Sequence, residues 1–218
     1  MTGLTASPKV RKGALVAMEL QNPASTAIVF QYNPESMSRT LQPQFMAEGT
    51  GDTTDFVRLR GAPIETMRLE VEIDATDHLA EGDPIAHQAG IHPQLAQLEM
   101  LLYPKSSLVT WNSERLMAGS MEILPPAAPM TFLVWGMKRV IPVRLTELSV
   151  TEEQHDPDLN PIRARVSLGL RVLSYNDLPI HGPGYNVFIA HQMAKEALAT
   201  MRGAVSGASV LGGSVNLF

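Results

Sequence analysis

Histidines and acidic residues cluster between positions 77 and 92. Imidazole and carboxylate groups together can bind zinc. A helical zinc pair stands four residues apart, whereas His87 and His92 are five apart with Gly90 between them. We therefore interpret the cluster as loop side chains in solvent, and we predict no metal and no cofactor. Its members are His78, His87, His92, Asp77, Glu81 and Asp83.

A second acidic group, His155-Asp156-Pro157-Asp158, allows two interpretations. Aspartate oxygens bind calcium, and an imidazole beside a carboxylate is a combination that catalysis uses. Asp, Asn and Pro are also the residues that a tight turn requires. We predict a turn between two strands.

Paired carboxylates and tryptophans suggest a different class of protein. Glu70 and Glu72 share one face of a predicted strand and could act as the acid and base of a glycosidase. Trp111 and Trp135 could offer stacking surfaces for a sugar, although core and rim positions are commoner for tryptophan. Because Arg68 precedes the carboxylates in a regular alternation, we favour a charged face in water. A small carbohydrate-binding or hydrolytic β-domain stays as an alternative.

Motifs for nucleophiles and nucleotides are absent from the sequence. It has no G-x-S-x-G elbow and neither of the phosphate loops G-x-x-x-x-G-K-[ST] and G-x-G-x-x-G. With 0 cysteines it has no disulfide, thiol nucleophile or thiolate metal site. We predict that the protein is not an enzyme.

Length and composition fit one globular α+β domain of 218 residues, 44% hydrophobic and 18% charged. The net charge of -5 disfavours nucleic acid as a partner, because phosphate binding needs clustered Lys and Arg. No apolar run reaches the roughly 20 residues of a membrane span, and the first residues lack the apolar core of a secretory signal. We predict assembly in the cytoplasm without membrane insertion.

Alternating apolar and polar residues predict most of the strands. The clearest patterns run from Glu65 to Asp74 and from Ile162 to Leu173, each with one apolar and one polar face. Two short apolar runs between Lys12 and Tyr32 predict a hairpin. Thr131 to Trp135 and Arg139 to Glu152 predict two further strands.

Helical spacing appears in two places. The leucines of HPQLAQLEMLLYP predict a helix that covers the sheet, and small residues from Asn186 to Met201 predict a last helix. SLVTWN indicates a strand. The polar stretch from Gln42 to Ala62 predicts an extended hairpin arm that contacts a partner.

Five segments resemble, in their order, the tube-type domain of contractile injection system proteins. They are KGALVAMEL, VFQYNPESMSRTLQPQ, LRGAPIETMRLEVEIDATD, HPQLAQLEMLLYP and FLVWGMKRVIPVRLTELSVTEEQHDPDLNPIRARVSLGLRVL. The resemblance covers residues 12 to 175. Its most specific residues are Phe30, Tyr32, Asn33, Pro34, Glu35, Gly61, Pro63, Glu65, Phe132, Trp135 and Gly136.

The resemblance implies a mainly β fold of two packed antiparallel sheets with a flanking helix and a C-terminal helix. It implies a tube initiator or adaptor: six copies form a ring that joins spike and tube, with baseplate and sheath components as further partners. We predict an arm at 1–11, a tube-like domain at 12–175, and a helix with a glycine-rich tail at 176–218. We find no LysM module after residue 175, unlike in longer members.

Within such a ring, we expect the polar strand faces to line the channel, because a wide pore must present wettable groups. Asn33-Pro34 is expected to shape a strand exit. The particle would be released or act at a target envelope; a virion's tail tube or baseplate protein is the alternative. The predicted lumen residues are Arg68, Glu70, Glu72, Arg163, Arg165 and Arg171. The predicted contacts with a neighbouring subunit are Gly49, Asp52, Asp55, Phe56, Arg58 and Leu59.

Overall fold

The computed structural model describes residues 11–18, 25–45, 58–119 and 128–203. The strands in these ranges are β1 (Ala14–Met18), β2 (Ser25–Val29), β3 (Met37–Gln42), β4 (Ile64–Asp74), β5 (Met130–Val134), β6 (Val140–His155) and β7 (Pro161–Val172). The helices are α1 (Thr76–Ala80), α2 (Pro84–Ala89), α3 (His92–Glu99), α4 (Ser106–Met117) and α5 (Pro183–Gly203).

The described strands form one antiparallel sheet of seven, in the order β2-β1-β5-β6-β7-β4-β3. The predicted hairpin is β1–β2, and the predicted alternating strands are β4 and β7. β6 continues to His155, beyond its predicted end at Glu152, and has a register shift between Leu145 and Glu147. Such a shift bends a long strand and increases its twist.

The sheet folds over so that its first strands lie against its last ones. Gln31, just after β2, donates to the Asp74 carbonyl at 2.7 Å and accepts from the Asp74 amide at 2.9 Å, although four strands separate β2 from β4 in the sheet order. The two layers that the resemblance implies are thus halves of one continuous sheet. The mainly β class with flanking and C-terminal helices is confirmed.

Buried side chains follow the two-residue period of the strands. On β4, Met67, Leu69, Val71 and Ile73 keep at most 9% of their surface exposed, while the residues between them face outward. Each large apolar side chain buried this way stabilises the fold by about 1.5–3 kcal/mol. On β7 the inward residues include Ala164, Val166, Leu168, Leu170 and Val172.

Helices α1 to α3 cover the end of the sheet where β7 begins. The Ile91 amide donates to the Pro161 carbonyl at 2.9 Å. Gly90 before it has φ +54°, and a Cβ there would lie 2.1 Å from the Pro161 oxygen, so only glycine fits. Leu95 and Leu98 of α3 enter the core. The predicted helix in HPQLAQLEMLLYP is confirmed.

Helices α4 and α5 differ in how they attach. SLVTWN lies within α4, so the predicted strand is wrong there: Leu108, Val109, Trp111 and Leu116 share a helical face instead of alternating. No α4 residue is buried. The predicted last helix is confirmed as α5, whose Phe188 is buried against Tyr175. None of the described helices has the length and apolar content needed to cross a membrane.

Candidate functional site

Charged side chains cover the outward face of β4, β6 and β7, which we call the paired face. Alternation puts these residues on the side of the strands opposite the core. Cross-strand register places Glu72 opposite Arg165 and Asp74 opposite Arg163. The paired face consists of Arg68, Glu70, Glu72, Asp74, Glu147, Glu153, Arg163 and Arg165.

Two arginines of β7 organise most of the paired face. Arg165 Nε lies 2.9 Å from Glu70, and its Nη2 lies 3.3 Å from Glu153. Arg163 Nε donates to Glu72 at 2.7 Å and lies 3.7 Å from Glu153. The hydrogen bond to Glu72, followed by the charge of that carboxylate, raises the pKa of Arg163. Four of the six predicted lumen residues are therefore joined in one network through Glu153.

The other two predicted lumen residues lie outside that network. Arg68 is 3.8 Å from Glu147, and both side chains are mostly exposed. Arg171 lies 3.1 Å from Asp177, whose carboxylate also accepts from the Ser174 amide and hydroxyl at 3.0 Å each. Arg171 is half-buried and supports the turn between β7 and α5.

A buried carboxylate lies on the opposite side of β4. Glu65 is only 5% exposed and points inward beside the core residues of the strand. Its Oε1 accepts from Arg39 of β3 at 2.8 Å, and its Oε2 lies 3.4 Å from Lys195 of α5. One carboxylate thus holds β3, β4 and the last helix together.

Two further basic side chains lie nearby: His191, which feels the charge of Glu65, and Arg139, whose charge also acts on His191. Burial first, and then the charge of Lys195, lowers the pKa of His191 from its ordinary value of 6.5, and the charge of Arg139 acts in the same direction. The Arg139 guanidinium contacts the Met37 sulfur at 3.6 Å. We call Glu65, Arg39, Lys195, His191 and Arg139 the Glu65 cluster.

Sequence reasoning placed Glu65 in a motif but missed the cluster around it. The sequence pattern does contain an indication of the cluster, because in the alternation of β4 Glu65 lies on the inward side with Met67 and Leu69. A charged residue in a core position requires a partner of opposite charge. The partner Lys195 is 130 residues away, so only the fold identifies it.

Several family-motif residues follow the end of β2, where Asn33-Pro34 is expected to shape a strand exit. Asn33 accepts from the Gly13 amide at 2.8 Å and donates to the Arg11 carbonyl at 2.8 Å. The Asn33 side chain thus makes hydrogen bonds to the backbone before β1 of the kind that a neighbouring strand would make. Tyr32 and Glu35 are exposed, and Pro34 is half-buried.

Aromatic packing fixes the next part of the motif. The Phe30 and Trp135 rings are 6.5 Å apart, and a Cβ on Gly13 would lie 2.6 Å from the Trp135 ring. Gly136 has φ +69°, which the tight turn before β6 requires.

Gly61 and Pro63 belong to the turn that leads into β4. A Cβ on Gly61 would lie 2.2 Å from the Asn176 side-chain nitrogen. This close approach joins the start of β4 to the β7–α5 turn. Pro63 is exposed.

The predicted neighbour contacts lie in the sequence between β3 and β4. Arg58 and Leu59 are exposed, and Leu59 forms an isolated bridge with Phe45. Leu59 and Phe45 are 61% and 56% exposed, which leaves an apolar surface in water. Gly49, Asp52, Asp55 and Phe56 lie outside the described residues.

The residues considered for a metal site or a sugar site lie in several separate parts of the described chain. The described ranges contain no group of three or more potential metal ligands. Asp156 accepts from the Asp158 and Asn160 amides at 2.9 and 2.7 Å, so the predicted turn is confirmed. The side chain of Asn160 is the main cause of a lowered pKa of the Asp156 carboxyl. Trp135 packs on Gly13, whereas Trp111 is exposed on α4 under Arg115.

Comparison with known families assigns the fold to a class. The family model described as "contractile injection system tube protein" matches residues 9–177. The chain belongs to this family of contractile injection system tube proteins. A search of curated proteins found no match.

Solved structures show more distant likeness. One chain of a gene transfer agent virion is 7% identical, with 73% of this chain and 90% of that chain covered and a TM-score of 0.27. A chain of an anti-feeding prophage baseplate is 15% identical, with 78% and 94% covered and a TM-score of 0.25.

Proposed function

We propose that the chain is a non-enzymatic ring subunit of the inner tube or baseplate, and that six copies join the spike to the tube. The observation that carries the proposal is the pair of unpaired sheet borders in a member of the tube family. Among the described strands, β2 pairs only with β1, and β3 only with β4. Exposed strand edges bind further strands readily, and edges at two different borders suit head-to-tail contacts that close into a ring.

The paired face suits the wall of such a channel. Its arginines each have a carboxylate within 4 Å, so the surface is wettable without presenting isolated arginines to passing cargo. Exposed pairs of this kind contribute little to stability, which leaves solubility in a water-filled pore as a reason for their presence. Arg171 is the weakest member of the predicted lumen set, because it supports a turn.

The arm is the proposed contact with the neighbouring subunit. Its described base exposes Leu41, Phe45 and Leu59, each at 47% or more. Apolar side chains grouped in this way mark an interaction surface. The division at 12–175 remains our proposal, with α5 packed on the β domain through Lys195 and Phe188.

Native mass spectrometry and electron microscopy of the purified protein test the ring. We expect six-copy rings, and we expect a chain with residues 49–57 replaced by a short Gly-Ser linker to stay folded and lose them. Shortening residues 121–127 is the matched control and should leave rings intact. A chain that stays monomeric at high concentration and is absent from assembled particles would contradict the proposal.

The proposal also covers where the protein assembles and which kind of particle it belongs to. We propose assembly in the cytoplasm of the producing cell, with tube, spike, baseplate and sheath proteins as partners. A tail protein of a virion is the alternative within the family. Purified particles decide between them, since a virion carries packaged nucleic acid and an injection system does not.

A further inference from the structure

Acidic residues, most of them exposed, gather at one end of the molecule, where β4 and β6 end. The chain has no Lys or Arg from residue 69 to 104 or from residue 145 to 162. The fold brings these two segments together, because the Ala75 amide donates to the Ile162 carbonyl at 2.9 Å. We call Asp77, Glu81, Asp83, Glu152, Asp156 and Asp158 the acidic end.

Part of the acidic end has no partner within the subunit. Asp156 and Asp83 cap local backbone amides. Asp77, Glu81 and Asp158 are exposed, and their carboxylates form no ion pair with any described residue. Three carboxylates at this end of the sheet are therefore exposed without an ion pair to a described residue.

The Glu65 cluster has the opposite imbalance. Glu65 is the one carboxylate of the cluster, and its two oxygens contact Arg39 and Lys195, whereas Arg139 has no ion pair with a described residue. The contact recorded for Arg139 is with a thioether sulfur, a weak acceptor. The Lys195 side chain is 42% exposed, so the excess positive charge is accessible from solvent.

The two charged regions are too far apart to neutralise each other. Glu65 and Asp74 lie near opposite ends of β4, and nine residues of strand span roughly 30 Å. Charges in water are largely screened beyond about 8–10 Å at physiological salt. A second copy can neutralise both regions, because its positive Glu65 cluster can face the acidic end of the first copy and its acidic end can face a Glu65 cluster.

We propose that the acidic end of one copy docks on the Glu65 cluster of the next, with Arg139 and Lys195 facing Asp77, Glu81 and Asp158. This inference rests on the proposed tube function and assigns it a stacking contact between rings. A head-to-tail contact along the strands does not close, so it propagates as a filament of rings. Complementary charges also set the register of such a contact and exclude wrong partners.

Charge-swap variants test the contact. We expect Arg139→Glu, and separately Asp77→Lys with Glu81→Lys, to raise the protein concentration at which rings stack by roughly tenfold or more. Combining all three changes in one chain should recover part of the lost stacking, because position 139 again faces opposite charges at positions 77 and 81, while Lys195 and Asp158 are unchanged. Arg144→Glu is the matched control: it makes the same charge change on an exposed residue of β6 outside both regions.

Sedimentation and electron microscopy give ring and stack populations separately. Circular dichroism melts identify variants that unfold, and Arg139→Gln then replaces Arg139→Glu with a smaller expected loss. The inference is supported if rings persist in every variant while stacks fail in each partial variant and return in the combined variant. Stacks that survive both partial variants, or that fail only with the Arg139 change, overturn it and leave the ring proposal intact. A wild-type chain that forms no rings contradicts the proposed function itself.

Discussion

The paired face and the Glu65 cluster lie on opposite sides of β4 and differ in how their charges are balanced. On the paired face, Arg165 and Glu70 are 54% and 59% exposed and neutralise each other within one subunit. In the Glu65 cluster, a carboxylate that is 6% exposed is surrounded by an excess of cations. The comparison separates two uses of ion pairs: wetting a surface, and tying distant elements together.

Energetics follow from the difference in exposure. Exposed pairs contribute about 0–1 kcal/mol, because water and salt screen them. Removing one member of a buried pair costs more, since the remaining charge stays desolvated. We therefore expect changes in the Glu65 cluster to affect folding, and changes on the paired face to affect what the surface contacts.

Glu65→Ala has the largest expected effect. Arg39 and Lys195 keep 29% and 42% of their side chains exposed, so water can partly replace the carboxylate. We expect a loss of about 2–3 kcal/mol in the free energy of unfolding. Urea unfolding followed by circular dichroism measures it. The matched variant Glu65→Gln keeps the shape and an acceptor, so its free energy of unfolding should fall less. A loss under about 0.5 kcal/mol for Glu65→Ala would show that the cluster does not stabilise the contact between β3, β4 and α5.

Acid sensitivity near neutral pH is the second way to separate the two regions. Burial lowers the pKa of His191 below 6.5, so the unfolded chain binds the proton more readily than the folded chain. The contribution of neutral His191 is present above pH 6.5 and declines as the pH falls below that value. The expected change is under about 1 kcal/mol, because His191 is only half-buried.

Unfolding midpoints between pH 7.5 and pH 5 measure this contribution. His191→Gln should flatten the profile in that window. The comparison variant is His155→Gln, which removes an imidazole that is exposed beside Glu152. An equal response of both variants would mean that burial of His191 has no effect on stability.

The sequence predicted the paired face more completely than the Glu65 cluster, for a physical reason. Alternation over neighbouring positions shows which side of β4 and β7 is wet, and that pattern is local. The cluster depends on α5 packing against the start of β4, a contact 130 residues apart. The strand prediction for SLVTWN was wrong for a different reason. Val, Thr and Trp favour strands, but together with their neighbours they give helix α4 an apolar face.

The folded-over sheet shows the same limit. Strand order and register follow from short connections, but the contact between Gln31 and Asp74 arises only after the sheet has bent. The two layers were implied by the family resemblance and not by the local patterns. Nothing in the local pattern of β2 or β4 indicates the meeting of their ends.

Arg165→Ala should have a small effect, which is what makes it informative. Its ion pairs with Glu70 and Glu153 are more than half exposed on the arginine side, so we expect a change within about 0.5 kcal/mol in the free energy of unfolding. Arg163→Ala, whose side chain is 36% exposed, should cost slightly more. A loss above about 1.5 kcal/mol for Arg165→Ala would place the paired face in the same energetic class as the Glu65 cluster and remove the distinction.

The smallest expected effect is the acid response of the paired face itself. Burial of Asp74 opposes ionisation, but hydrogen bonds from Thr76 and the charge of Arg163 outweigh it and hold the pKa of Asp74 below its usual 3.8. The folded chain therefore releases this proton more readily than the unfolded chain, and the stabilisation is complete above pH 3.8 and lost as the pH falls through the lower folded value. Asp74→Asn keeps the acceptor for Thr76 and the backbone bonds to Gln31. Its unfolding profile should match that of the wild type from pH 7 to pH 5 and be flatter below pH 4, whereas His191→Gln should differ only in the higher window. If both variants changed the profile in the same pH window, the paired face and the Glu65 cluster would not titrate independently.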